Sequence, residues 1–481
     1  MVFSSLTFLF YLLPITLIVY FILSFSRPLQ NFWLFLVSLV FYAWGEPVYI
    51  VLLLVSIVSN YLIGLLVGKY RLDRPKIAKG GVVLACVINL GILFVFKYLG
   101  FVCESINTAA GSSIVPVLQI ALPIGISFFT FQALSYVIDV YRGDSEVQKN
   151  PFWVGLYIAF FPQLVAGPIV KYKSIAKQIN DRKFSADVFS RGVTRFATGV
   201  AKKVLLANNL AVIVDDIFNL TATGKDNYSV PVLMAWLGAI CYTMQIYMDF
   251  SGYSDMAIGL GQMFGFQFEE NFNYPYISKS IGEFWRRWHI SLGTWFKEYV
   301  YFPLGGSRVS NMDIMVRNTL VVWLLTGIWH GANWTFLFWG LVNFVFLIFE
   351  RLVRWDKIEI PNFWKHIYCM LIITVSWVMF RADSLYQLSE YFGNMFGTNM
   401  NGFYSATTGA FVKEYAIVLF FSVLFCMPVA PWCRKKVDQL QNKFAAVSLN
   451  MLHIVALMGV FTVSVISLIK GGYNPFIYFN F

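Results

Sequence analysis

Two stretches concentrate the residues able to do chemistry. One reads Glu283-Phe284-Trp285-Arg286-Arg287-Trp288-His289-Ile290-Ser291-Leu292, the other Thr326-Gly327-Ile328-Trp329-His330-Gly331-Ala332-Asn333-Trp334. Each holds one of the four histidines, and none precedes His289. His330 lies inside an apolar run, Leu320 to Phe349, with Gly327 and Gly331 beside it and Asn333 close by. Burying an ionisable side chain in such a run is costly, which makes it a candidate functional group. A neutral imidazole at that position can accept a proton near pH 7. The small neighbours would admit a substrate or let the helix break. His366 and His453 have no comparable context and receive no role.

Other chemistries lack their motifs. No HExxH, phosphate-binding loop, GxSxG elbow or dinucleotide fingerprint follows a suitable strand. Neither histidine is followed by an aspartate five residues on. Two histidines without a nearby cysteine or carboxylate pair make a poor zinc site, so no metal is expected. What remains is a general base without a covalent nucleophile, which suits direct transfer of an activated group to a hydroxyl.

The elements that position these residues are membrane helices. The 481-residue chain is 58% hydrophobic and 13% charged, about half the charged fraction of an ordinary soluble domain. Its mean hydropathy is +0.66. Apolar runs long enough to cross a bilayer recur throughout, whereas the short alternating segments of a barrel are absent. The reading is an all-α polytopic membrane protein of about eleven transmembrane helices, forming a single integral unit, 1–481. The first run, about Leu6 to Ser24, lacks a basic leader and a small-residue cleavage site and reads as a retained span. The net charge of +11 is spread over short loops, so it reports topology rather than nucleic-acid binding. The six cysteines form no CxxC pair and read as small apolar residues.

Several segments depart from a plain span. Gly45-Glu46-Pro47 separates two runs. Val115 to Val140 is interrupted by Pro123 and Gly125, and Phe152 to Val170 by two prolines, suggesting a re-entrant segment. Lys171 to Lys203 is basic and amphipathic, as in an interfacial helix. Asp249 and Asp255 flank Phe250-Ser251-Gly252-Tyr253-Ser254, read as a hydrogen-bonded loop that shapes the fold, with direct catalysis the lesser alternative. Ser280 and Glu283 fit a capping box opening a helix. Phe284, Trp285, Trp288, Leu292, Trp295, Phe296 and Tyr299 share one face of that helix, with Arg286, Arg287 and Lys297 elsewhere. It reads as one amphipathic helix in the membrane interface, with His289 half-buried at the margin of its apolar stripe.

Longer motifs carry a resemblance. Met248-Asp249-Phe250-Ser251-Gly252-Tyr253-Ser254-Asp255-Met256-Ala257-Ile258-Gly259, then Glu269 to Tyr276, Glu283 to Gly306 and Trp329 to Trp334 resemble the membrane-bound O-acyltransferase (MBOAT) family, in its bacterial alginate O-acetylation branch. Phe161 to Pro168 and Phe380-Arg381-Ala382 extend the likeness over nearly the whole chain. The resemblance implies helices, some re-entrant or interfacial, ringed around a central pore in the bacterial plasma membrane. It makes His330 the essential histidine and His289 the second one. It further implies acyl transfer, most simply of acetyl, from a cytoplasmic thioester such as acetyl-CoA or an acyl carrier. The acceptor is a hydroxyl of an extracytoplasmic polysaccharide or cell-wall polymer, reached directly or through a secreted or membrane-anchored transferase partner. No bound cofactor is implied. On this reading His330 is the base, and His289 or Asn333 orients the site or stabilises charge. Trp329 and Asn333 contact substrate, and Arg286, Arg287 and Lys297 attract the donor's phosphates or, alternatively, meet lipid headgroups. The rival is a transporter or channel for an acyl group or D-alanine that feeds an external transferase. Broken helices fit transport too. His330 separates the two, because transport needs no general base.

Overall fold

The structure is a computed structural model and describes residues 1–223, 230–307, 311–440 and 443–477. The regular structure in those residues is all helical, with no strand among them. They divide into two compact units: Met1–Phe196 with Ser254–Glu270, and Ala197–Tyr253 with Asn271–Phe481.

Among the described residues, eight helices are long and apolar enough to cross a bilayer. A ninth arises if Ala406–Glu414 and Ala416–Cys426, bent by 66°, form one span. Two of the expected apolar runs are not continuous helices. Within Val115 to Val140 only Ile126 onward is helical, after Gly125 at φ 76°. Phe152 to Val170 holds two short helices, Pro151–Ala159 and Phe161–Leu164, then buried irregular backbone. Such backbone survives at membrane depth when protein covers it. The expected break after Gly45 is present, between the helices Arg27–Gly45 and Ile50–Tyr70. On the candidate spans, Ile18, Val55, Leu62, Val87 and Leu452 are exposed, the outward apolar face that lipid solvates.

Within the first unit, Tyr20 donates to the Phe264 carbonyl at 2.6 Å. The buried Arg182 guanidinium also donates to that carbonyl and stacks over the Phe266 ring, its centre 4.2 Å away. Asn60 and Asn89 exchange side-chain hydrogen bonds between successive spans at 2.8 and 3.1 Å. With no water to serve them in hydrocarbon, such amides bond each other.

Two expectations are corrected. The basic stretch ending at Lys203 is not solely interfacial, because residues 186–221 form a candidate span. Asp249 to Asp255 is no loop either; it lies inside one long helix, α1 (Val232–Met263). The aspartates persist there because each meets a cation: Lys203 pairs with Asp249 at 2.7 Å and Arg195 with Asp255 at 2.9 Å. Gly252 keeps α1 close to the preceding helix, since a Cβ there would sit 3.0 Å from the Gly199 carbonyl.

Five further helices belong to the second unit, the first four holding the histidine stretches and the last carrying Phe380. They are α2 (Ile281–Arg287), α3 (Ile290–Phe296), α4 (Met312–His330), α5 (Trp334–Leu352) and α6 (Asn362–Arg381). α4 and α5 form an antiparallel hairpin joined by residues 331–333. Glycine makes the hairpin possible: a Cβ on Gly327 would lie 2.5 Å from the Phe336 carbonyl, and one on Gly340 2.5 Å from the Trp323 carbonyl.

Candidate active site

The Ser280 cap is present, with Glu283 reaching back one residue beyond it. Ser280 Oγ accepts from the Glu283 amide at 2.9 Å, while the Glu283 carboxylate accepts from the Lys279 amide at 3.0 Å. Glu350, from α5, accepts from the free amides of Ile281 and Gly282. A carboxylate there satisfies unpaired N–H groups and complements the helix dipole.

The expected single helix is, however, two. It stops at Trp288, and His289 takes a left-handed conformation, φ 44° and ψ 53°, before α3 begins. That conformation costs a non-glycine residue about 1 kcal/mol or more. The segment 271–273 compensates by bonding to both sides of the break. Asn273 N–H donates to the Arg287 carbonyl at 2.9 Å, and Ile290 N–H to the Asn271 carbonyl at 2.9 Å. Asn271 Oδ1 accepts from Ser291 N–H at 3.2 Å and from Ser291 Oγ at 2.8 Å. The break carries His289 inward, so its exposure is 3% rather than half.

His330 is the last residue of α4, 5% exposed. Its ring packs edge-on against Trp339 (5.2 Å between centroids) and Phe380 (5.1 Å). His289 meets Phe250 edge-on at 4.6 Å. The Trp329 ring neighbours both imidazoles, 6.1 Å from His289 and 5.0 Å from His330.

Both histidines line one cavity of about 350 Å³, together with Trp285, Trp288, Arg286 and Lys297. Gly282, Arg286 and Leu347 also line a neighbouring cavity of about 570 Å³. Lys279, Arg286, Arg351 and Lys365 oppose Glu283, Glu350 and Asp356 in that second space. Arg286 thus presents its side chain to the lining of both cavities. Arg287 turns elsewhere, to Glu283 at 3.0 Å and the Asn273 carbonyl at 3.1 Å. Asn333 caps α5 through Oδ1, which accepts from the Thr335 amide at 3.2 Å, and donates Nδ2 to the Asp383 carbonyl at 2.8 Å. Both ends of its amide are thus engaged in the fold. Asn271, Ser291 and Phe250 surround His289 without having been singled out, since they are distant in sequence or carry no chemistry alone. Among the described residues, no three His, Cys, Asp or Glu side chains converge as metal ligands would.

His289 lies outside the candidate spans, and burial pushes its imidazole down to about 3. The unfolded chain protonates near the usual 6.5, so between pH 6.5 and about 3 it binds a proton that the folded protein refuses. Stability contributed by neutral His289 is therefore full above pH 6.5 and lost as pH falls, by up to about 1.4 kcal/mol per unit. The thermal midpoint of the wild type is expected to drop more steeply from pH 6.5 to 4 than that of His289→Gln. Parallel curves would refute the assignment.

The profile of MBOAT, the membrane-bound O-acyltransferase family, matches residues 148–389, half of the chain. Two buried imidazoles lining one cavity thus meet a family defined by acyl transfer in the membrane. The chain belongs to that family and is a multi-pass membrane O-acyltransferase. It is 40% identical to the probable alginate O-acetylase AlgI of Pseudomonas putida over the full length of both. It is 35% identical to the peptidoglycan O-acetyltransferase of Helicobacter pylori, covering 83% of this chain and 80% of that one. A teichoic acid D-alanyltransferase of Bacillus subtilis is 28% identical over 54% of this chain and 70% of its own.

Proposed function

We propose that this enzyme moves an acetyl group from a cytoplasmic thioester, acetyl-CoA or an acetylated carrier protein, to a hydroxyl of an extracytoplasmic polysaccharide or cell-wall polymer, directly or through a partner protein. The observation that carries the reading is the single cavity holding two buried imidazoles and two cationic side chains. The relatives named for O-acetylation of alginate and of peptidoglycan support acetyl and a polymer acceptor. In the reaction the acceptor oxygen attacks the thioester carbonyl. A C–O bond forms, the C–S bond breaks, and the hydroxyl proton passes to His330 and then to the departing thiolate. Arg286, which lines both cavities, and Lys297, which lines the cavity of the histidines, hold the donor's phosphates, where guanidinium geometry favours bidentate contact. His289 orients the reacting groups.

The test is transfer by the purified protein in liposomes, with labelled acetyl-CoA and labelled acetyl-carrier protein in parallel arms. Alginate or peptidoglycan is supplied with and without the membrane fraction of the producing cells. Label on polymer with thiol release is expected in one arm. Absence of label in every arm, from protein that stays folded, would overturn the reading.

A further inference from the structure

Asn271 bonds to His289 in a way that selects its tautomer. Asn271 Oδ1 lies 3.1 Å from His289 Nδ1. The atom assignment follows from a third partner. The backbone N–H of Ser291, 3.2 Å away, can only donate, so the atom it meets must be the amide's oxygen. Ser291 Oγ also lies 3.5 Å from Nδ1, but its proton goes to the nearer Asn271 Oδ1, 2.8 Å away, so the oxygen acceptor makes His289 Nδ1 the donor and leaves Nε2 with its lone pair. Nε2 is buried and has no hydrogen-bond partner among the described residues, on a ring that lines the cavity shared with His330. Turning the ring over would set a ring carbon where Nδ1 meets Asn271 Oδ1 and lose that bond.

We infer that Asn271 is a positioning residue that holds His289 as the Nδ1–H tautomer, so that Nε2 accepts a hydrogen bond from an O–H or N–H of bound substrate. This rests on acyl transfer in the same cavity. The two imidazoles then divide the work: His330 takes the proton of the attacking hydroxyl, and His289 offers a fixed lone pair. Because its one proton is committed to Asn271, His289 does not protonate the leaving sulfur. An outer partner that fixes a histidine's tautomer typically contributes 10- to 100-fold where it has been removed from metal sites, and the same order is expected here.

The test separates this role from folding and from the overall reaction. Protein labelled with nitrogen-15 in its histidines is compared with His289→Gln to assign the His289 signals. At pH 7 they are expected to show a protonated Nδ1 and a bare Nε2, a readout that needs no turnover. Asn271→Leu is expected to mix the tautomers and lower kcat by about 10- to 100-fold. Asn271→Asp keeps an acceptor oxygen for both Ser291 and Nδ1, and is expected to return the single tautomer and most of kcat. The affinity of a non-reactive thioether analogue of acetyl-CoA then identifies the donor group: weaker binding by Asn271→Leu assigns the N–H of the thioester arm. Unchanged binding with lowered kcat assigns the acceptor O–H. A bare Nδ1 in the wild type overturns the inference. So does an unchanged tautomer in Asn271→Leu, or Asp and Leu variants that differ only in the amount of folded protein.

Discussion

His330→Ala is expected to lower kcat for acetyl transfer by about 10²–10⁴-fold, the usual contribution of a general base. The donor's dissociation constant should stay within a few-fold of wild type, because Arg286 and Lys297 reach the cavity from α2 and from the turn after α3. The imidazole also fills space between Trp339 and Phe380, so alanine removes packing along with the base. His330→Gln provides the control: it restores bulk and hydrogen bonding without proton transfer, and should be as inactive as alanine while melting closer to wild type. Single-turnover assays on folded protein measure both quantities. Activity within a few-fold of wild type in the glutamine variant would move the base to another group.

The second large effect falls on stability. Lys203 and Asp249 pair at 2.7 Å with side chains only 4% and 2% exposed. The chain near its C-terminus closes over them. Ile477 N–H donates to Asp249 Oδ2 at 3.0 Å, Lys203 Nζ donates to the Pro475 carbonyl, and the ammonium lies 5.8 Å from the centre of the Phe476 ring. Removing one charge strands the other in a medium that solvates it poorly, at about 3–5 kcal/mol. Asp249→Asn and Lys203→Met are each expected to abolish or sharply lower the thermal midpoint in detergent. The double variant Lys203→Met/Asp249→Leu, with no orphaned charge, should recover much of the loss. Asp249 adjoins Phe250, whose ring touches His289, so single variants that survive should also lose turnover. A fully stable Asp249→Asn protein would refute this account.

The spans were legible because hydrocarbon length and apolar composition leave few alternatives. The start of α2 was legible because Ser280 and Glu283 act locally, and His330 because an imidazole in an apolar run is costly. The break at His289 was not. A helical wheel from Phe284 to Tyr299 is consistent with one helix, and the bonds that favour two come from Asn271 and Asn273. Asp249 misled for the same reason: its partner Lys203 lies on the preceding helix. Local periodicity records how a segment meets its surroundings on average. It does not record a single long-range bond that outweighs the average.

The three-residue connection between α4 and α5 has a further consequence. His330 ends one helix, Asn333 caps the next, and the glycines at 327 and 340 hold the two in fixed register. One inserted residue that extended α5 would turn everything before it by about 100° and lengthen it by about 1.5 Å. Either Asn333 would leave its cap or the glycines would no longer oppose their carbonyls. In this turn chain length is thus as constrained as chemistry, although turns of membrane proteins ordinarily absorb insertions with ease. Variation in the family should spare the length of this turn even where it alters the residues within it.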